Sequence, residues 1–231
     1  MATSGTYTYN ISASGLITEA LRILGVLEEG STASSAQLSD STPAFEMYLK
    51  GLGKYGLNLW TTATESITLV ASDGTYTPTK KFLKITDLVY RDSSGEDTPL
   101  MPLTRDEFWR LSDKDDTGTP TQYYYDLQES QSACVIHIWP YPDSNNSGNG
   151  ETIKVTGQRY IEDISDTSNT IDIPQEWLET IKYGLATRLA PMYGYPVQER
   201  NLLDKEYSIM LEDSLSWDTE QESIYIQPEA I

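Results

Sequence analysis

Apolar residues recur every three or four positions at both ends of this chain and every second position in between. Near the start, Leu16, Ile17, Ala20, Leu21, Leu24 and Leu27 fall on one helical face, and the spacing predicts a helix ended near Gly25 to Gly30. The Ser/Thr-rich piece Ser31 to Ser41 reads as a connection that offers several N-caps. Phe45, Tyr48, Leu49, Leu52 and Tyr55 then define a second helix to about Gly56. Pro43 suits its first turn; a helix starting earlier would kink there.

From about Glu65 the period changes to two. Ser66 to Ala71, Phe82 to Asp92, Thr121 to Asp126, Ala133 to Trp139 and Thr152 to Tyr160 read as strands. Turn-rich pieces separate them, among them Asp73-Gly74, Ser94-Gly95 and the polar run Ser144 to Gly150. A short helix, Arg105 to Leu111 capped by Thr104, interrupts the series. After Asp166 to Thr170 the helical period returns. Pro174 fits a first helical position and Glu176 a first turn, where the dipole favours a negative charge. Leu178, Ile181, Leu185 and Leu189 form the stripe, and Pro191 and Gly194 stop it. A last helix runs from Pro196 to about Trp217, with Val197, Leu203, Tyr207, Met210 and Leu211 inward.

This order predicts an α+β fold: terminal helices forming one bundle, an inserted antiparallel β-rich domain, and an extended C-terminal arm. The expected divisions are 1–64 and 166–217 for the two bundle halves, 65–165 for the β-domain and 218–231 for the arm. In the arm, Ile224, Tyr225 and Ile226 are β-prone, and Pro228 closes the run. So short a segment cannot bury two isoleucines alone, so it is expected to add to a partner's sheet edge or enter a groove.

Particular words in the second helical region carry more information than its period. Pro174-x-Glu176-Trp177, Tyr183-x-Leu185-Ala186 and Leu189-Ala190-Pro191-x-Tyr193-Gly194 closely resemble the C-terminal helical signature of the head-to-tail adaptor proteins of short-tailed phages. Ile17 to Trp60 resembles that family's opening helix pair, and Leu103 to Asp126 and Ile136 to Asp143 its middle region. The four stretches come in the expected order. The resemblance implies a virion structural protein at the portal–tail junction; some related phage proteins are associated with cell-wall cleavage, yet no enzymatic activity and no cofactor are expected here. It implies a ring, dodecameric to match the portal, that binds portal protein after packaging through its C-terminal arm. It also implies a docking platform for a tail nozzle or tail tube protein, and a channel that packaged DNA passes without sequence-specific binding.

Charge changes the picture modestly. Sixteen Lys and Arg against 35 Asp and Glu leave a net charge of −19, which argues against wrapping nucleic acid, since affinity there comes mainly from cations on phosphates. The same sign suits either a soluble domain or the wall of a DNA conduit. One cysteine, Cys134, excludes an internal disulfide. The opening MATSGTYTYN lacks the basic and apolar regions of a signal peptide, and no apolar run approaches the ~20 residues of a membrane span. The expectation is a soluble protein made in the host cytoplasm.

Candidate chemistry is sparse. Cys134 and His137, the only histidine, are an odd number of strand positions apart and point to opposite faces, which argues against a dyad. Asp113, Asp115 and Gly118 imitate a calcium loop, but Tyr124 stands where the bidentate Glu belongs. Asp143, Asn145 and Gly148 do the same and end on Lys154. No metal is therefore expected. Tyr123, Tyr124 and Tyr125 with Trp139 and Tyr141 either line a sugar-binding face or pack the sheet. A carbohydrate-binding module, a muralytic tail enzyme and another neck or head-completion protein are the rival readings.

Overall fold

The computed structural model describes Gly5 and residues 9–53, 59–127, 134–148 and 150–217. The fold is α+β, and the chain divides into a helical unit, Met1–Trp60 with Ile161–Ile231, and a β unit, Thr61–Tyr160.

In the helical unit, α1 (Ala13–Ile23) starts at Ser12, whose hydroxyl accepts from the Gly15 N–H at 3.1 Å. Its stripe Leu16, Ile17, Ala20 and Leu21 is buried. The helix stops before Leu27, which is half-buried outside it. Gly25, at φ 65°, is the reason: the left-handed residue ends the helix sooner than the apolar spacing does.

The second helix, α2 (Ser35–Leu52), begins well before Pro43, contrary to the expectation that the proline lies in the first turn. Ser34 and Gln37 form a capping box: the Gln37 N–H donates to the Ser34 hydroxyl at 3.3 Å, and the Ser34 N–H donates to the Gln37 side chain at 2.9 Å. Pro43 therefore sits in the interior and leaves a ladder position without a donor. In the same turn the Thr42 hydroxyl donates to the Leu38 carbonyl at 2.7 Å. Phe45, Tyr48, Leu49 and Leu52 are buried as the spacing predicts; Tyr55 lies outside the described residues.

The Ile173 region also starts differently. Pro174 is an extended N-cap residue, Gln175–Trp177 is a 3-10 turn, and α4 proper is Leu178–Leu189, following the five-residue α3 (Arg105–Trp109) of the β unit. Helix α4 packs against α1, α2 and the last helix, α5 (Val197–Trp217). It is the centre of the helical core, with Ile181, Leu185 and Leu189 fully buried. At roughly 1.5–3 kcal/mol for each large aliphatic side chain removed from water, this stripe is a main stabiliser of the unit. Lys50 and Glu46 of α2 tie down the segment leading to α4: Lys50 pairs with Asp163 at 2.5 Å, and Glu46 accepts from the Ile164 N–H at 3.1 Å.

The β unit is two sheets over one core. The first has the order β1 (Thr62–Thr68), β10 (Thr152–Arg159), β3 (Phe82–Arg91) and β4 (Asp97–Pro99), all antiparallel. The second has the order β2 (Thr75–Tyr76), β8 (Val135–Trp139), β7 (Gln122–Asp126) and β5 (Met101–Pro102). Its β5–β7 pair is parallel, as is the separate pair β6 (Thr117–Gly118) with β9 (Tyr141–Pro142). Phe82, Leu88, Ile153 and Val155 from one sheet meet Tyr76, Tyr123, Ile136 and Ile138 from the other. The first strand starts at Thr62, earlier than its apolar alternation shows, because its half-buried positions before Ile67 are Ala63 and Glu65. At Gly157 the β10–β3 register shifts; a Cβ there would lie 2.3 Å from the Lys84 carbonyl, so the bulge needs glycine.

Candidate assembly surface

Part of the signature, Trp177 and Leu189 among it, builds the core of the helical unit, and the rest lies at its edge. Trp177 is 2 % exposed, and its ring lies 6.4 Å from that of Trp60. Tyr183 is half-buried under the Lys182 ammonium, 5.4 Å from the ring centroid. After Leu189, Gly194 takes φ 68° while the Tyr195 N–H reaches back to the Ala190 carbonyl at 3.0 Å. That closure turns the chain from α4 into α5, with Pro191 exposed and Tyr193 half-buried. The unspecified position inside Tyr183-x-Leu185-Ala186 matters most. It is Gly184, where an added Cβ would lie 2.1 Å from the Tyr48 hydroxyl oxygen and 2.7 Å from the Tyr207 ring. Those two rings meet edge to face at 6.0 Å, so α2 and α5 both close on α4 over a bare backbone. A glycine in mid-helix is itself the signal that sequence reasoning passed over.

The outer face of α5 is the candidate contact surface. Leu203 and Leu211 are buried and Tyr207 is half-buried, as the spacing predicts. Val197, expected inward, is instead exposed, since it opens the helix beyond the last turn of α4's cover; Met210 is half-buried. Leu202 and Ile209, seven residues apart on the other face, are each 61 % exposed, and Trp217 is 75 % exposed. The outer face of the helix thus presents Leu202 and Ile209 among exposed charges such as Lys205, Glu206 and Glu212. The arm residues Ile224, Tyr225, Ile226 and Pro228 lie outside the described residues.

In the β unit the aromatic residues separate onto two faces and do not form one sugar platform. Tyr123 is in the core with Ile136 and Ile138, and the half-buried Tyr125 donates its hydroxyl proton to the Phe82 carbonyl. Tyr124 faces the other way, where its ring stacks with Phe108 of α3 at 5.2 Å and with His137 at 5.7 Å. Trp139 spends its indole N–H on the Asp113 carbonyl at 2.9 Å. Register explains the split: Tyr124 pairs with His137, and Tyr123 and Tyr125 with Ile138 and Ile136. Helix α3, started by a capping box between Thr104 and Glu107, lays Phe108 on this second face.

Titratable groups behave as structural parts. Burial, and then the neighbouring Cys134, push the Tyr125 hydroxyl far above its ordinary range. Cys134 is buried on the core side of its strand, with the thiol 3.8 Å from the Lys80 carbonyl, whereas His137 lies against Phe108. Asp143 is held below the usual carboxylate range by the Asn145 N–H at 2.8 Å, with Asn146 adding two further bonds. Asp113 likewise accepts from the Asp115 N–H at 3.2 Å. Both calcium-like loops thus close on themselves, and the described residues hold no group of three or more His, Cys, Asp or Glu fit for a metal ion. Asp92, Asp97, Asp166 and Glu107 are also lowered, chiefly by the Ser94 hydroxyl, Arg91, the Ser168 N–H and the Thr104 N–H respectively. No helix among the described residues is long and apolar enough to cross a membrane.

A comparison with curated proteins finds no match. Among protein families, the SU10 adaptor proteins match residues 11–223, a span that takes in both units and all five helices described above. The chain therefore belongs to the SU10 adaptor protein family, in keeping with its resemblance to phage head-to-tail adaptors, and is a structural component of the phage particle.

Proposed function

We propose that this protein joins the portal ring of a phage head to its tail. Copies bind portal protein after packaging, form a dodecameric ring that extends the DNA channel, and offer a platform to a tail nozzle or tail tube protein. The observation that carries this reading is the family match across residues 11–223. The outer face of α5 supports it, because Leu202 and Ile209 supply apolar area that a ring neighbour or portal subunit would cover. The net charge of −19 supports a channel that duplex DNA passes without adhering. Residues 218–231 act as the arm that enters the portal assembly, with Ile224, Tyr225 and Ile226 as its anchors and Pro228 as its end.

Co-sedimentation with portal rings of the same phage tests this. Truncation after Trp217 is expected to leave the thermal midpoint of the free protein nearly unchanged and to abolish co-sedimentation. Binding at full affinity by the truncated chain would remove the arm from the account. Filter binding at low salt tests the channel: tight, salt-sensitive binding of duplex DNA by the isolated protein would contradict it.

A further inference from the structure

The last turn of α5 and the 3-10 turn ahead of α4 enclose a groove of about 310 Å³, lined by Glu176, Trp177, Asp213, Ser214 and Trp217. Two tryptophans line it, Trp177 buried and Trp217 largely exposed. Glu176 and Asp213 are the two charges on its lining, and neither is in an ion pair with a described residue. Among the described residues Glu176 receives only the Gln175 side-chain amide, at 3.2 Å. Asp213 stands in the last turns of α5, which contain no basic residue, where the backbone carbonyls already leave negative partial charge. Its own helix gains nothing from that acid. An aromatic wall beside uncompensated negative charge fits a side chain with an apolar stem and a cationic head.

We propose that this groove docks an arginine or lysine presented on an apolar segment of a partner protein. The stem lies against Trp217, and the head sits between the Glu176 and Asp213 carboxylates. Charge disfavours the two occupants nearest at hand. The chain's own continuation begins with Asp218, Glu220 and Glu222, and no Lys or Arg follows Lys205. A second copy is poor in matching cations, with 16 Lys and Arg against 35 Asp and Glu. The inference deepens the adaptor reading by giving the chemistry of one partner contact, and its test does not depend on which phage protein supplies that contact.

The test uses the full chain with nitrogen-15 in its tryptophan indoles, and two probes: acetyl-Leu-Arg-Leu-Arg-amide and acetyl-Leu-Glu-Leu-Glu-amide at millimolar concentration. Trp217→Phe assigns the Trp217 resonance. Trp109 is the internal control, an exposed indole whose ring already lies beneath the Lys114 ammonium. The arginine peptide is expected to shift the Trp217 signal saturably and leave Trp109 in place; the glutamate peptide is expected to shift neither. In Glu176→Gln/Asp213→Asn the arginine peptide should bind about fivefold more weakly, and about 0.5 M salt should weaken wild-type binding similarly. The unliganded indole spectrum checks that the double variant is folded. No shift at Trp217, equal shifts from both peptides, or an unchanged affinity in the double variant would overturn the proposal. A positive peptide response from a protein that ignores portal rings would sink the portal assignment and leave the groove's chemistry standing.

Discussion

At the residue scale, Gly184 decides how the helical unit packs. Replacing a mid-helix glycine by alanine ordinarily stabilises by about 0.5–1 kcal/mol through backbone entropy and propensity. Here the added methyl would meet Tyr48 at 2.1 Å and Tyr207 at 2.7 Å, and overpacking of this kind costs about 1–3 kcal/mol. The clash outweighs the propensity gain, so Gly184→Ala is expected to lower stability in chemical denaturation. A stabilised variant would mean that α2 and α5 do not close over this backbone as described. Apolar spacing identified the buried positions Leu16, Phe45, Ile181 and Leu203, because a stripe at helical period needs cover whatever covers it. It could not identify Gly184, whose partners are rings far away in sequence. Nor does it show Leu202, Ile209 and Trp217, because apolar residues spaced among charges on the outer face of α5 carry no helical stripe.

At the scale of elements, α2 shows two local signals in conflict. The capping box at Ser34 and Gln37 sets the start of the helix, and Pro43 argues for a start up to eight residues later. The box wins because the helix end gains two satisfied N–H groups, while Phe45, Tyr48, Leu49 and Leu52 hold the far side in the core. An interior proline costs about 3 kcal/mol, offset by about 0.4–1 kcal/mol of lost unfolded-state freedom. Pro43→Ala is thus expected to raise stability by about 2 kcal/mol, and Ser34→Ala to lower it by about 1 kcal/mol. Denaturant midpoints of the two variants check both signs; a Pro43→Ala protein no more stable than wild type would show that packing offsets the missing donor. The five long strands were legible because alternation needs length. Thr75–Tyr76, Asp97–Pro99, Met101–Pro102, Thr117–Gly118 and Tyr141–Pro142 are two or three residues each and carry no period.

At the scale of the whole molecule, each unit has its own buried cluster, one around α4 and one between the two sheets. A chain lacking residues 61–160, with a short Gly-Ser joint from Trp60 to Ile161, is therefore expected to stay helical by circular dichroism and to unfold cooperatively; a molten or unfolded product would contradict the two-core account. Charge sets the acid response. The carboxyls of Asp92, Asp97, Asp143, Asp166 and Glu107 titrate lower in the folded protein than unfolded. Their stabilisation is fully present above the ordinary values near pH ~4 and is lost as pH falls through the lower folded ones. The net charge of −19 acts oppositely, since its self-repulsion is relieved as pH falls from neutral. The thermal midpoint at low salt is expected to peak at about pH 4.5–6 and to flatten when salt screens the repulsion; a midpoint that rises steadily towards pH 8 would show that repulsion is negligible. The adaptor role itself is tested most directly by electron microscopy of the full-length protein mixed with portal rings of its own phage. The account predicts a second ring of density on one face of the portal, sharing its symmetry axis and leaving the channel open. Bare portal rings at saturating protein would contradict it.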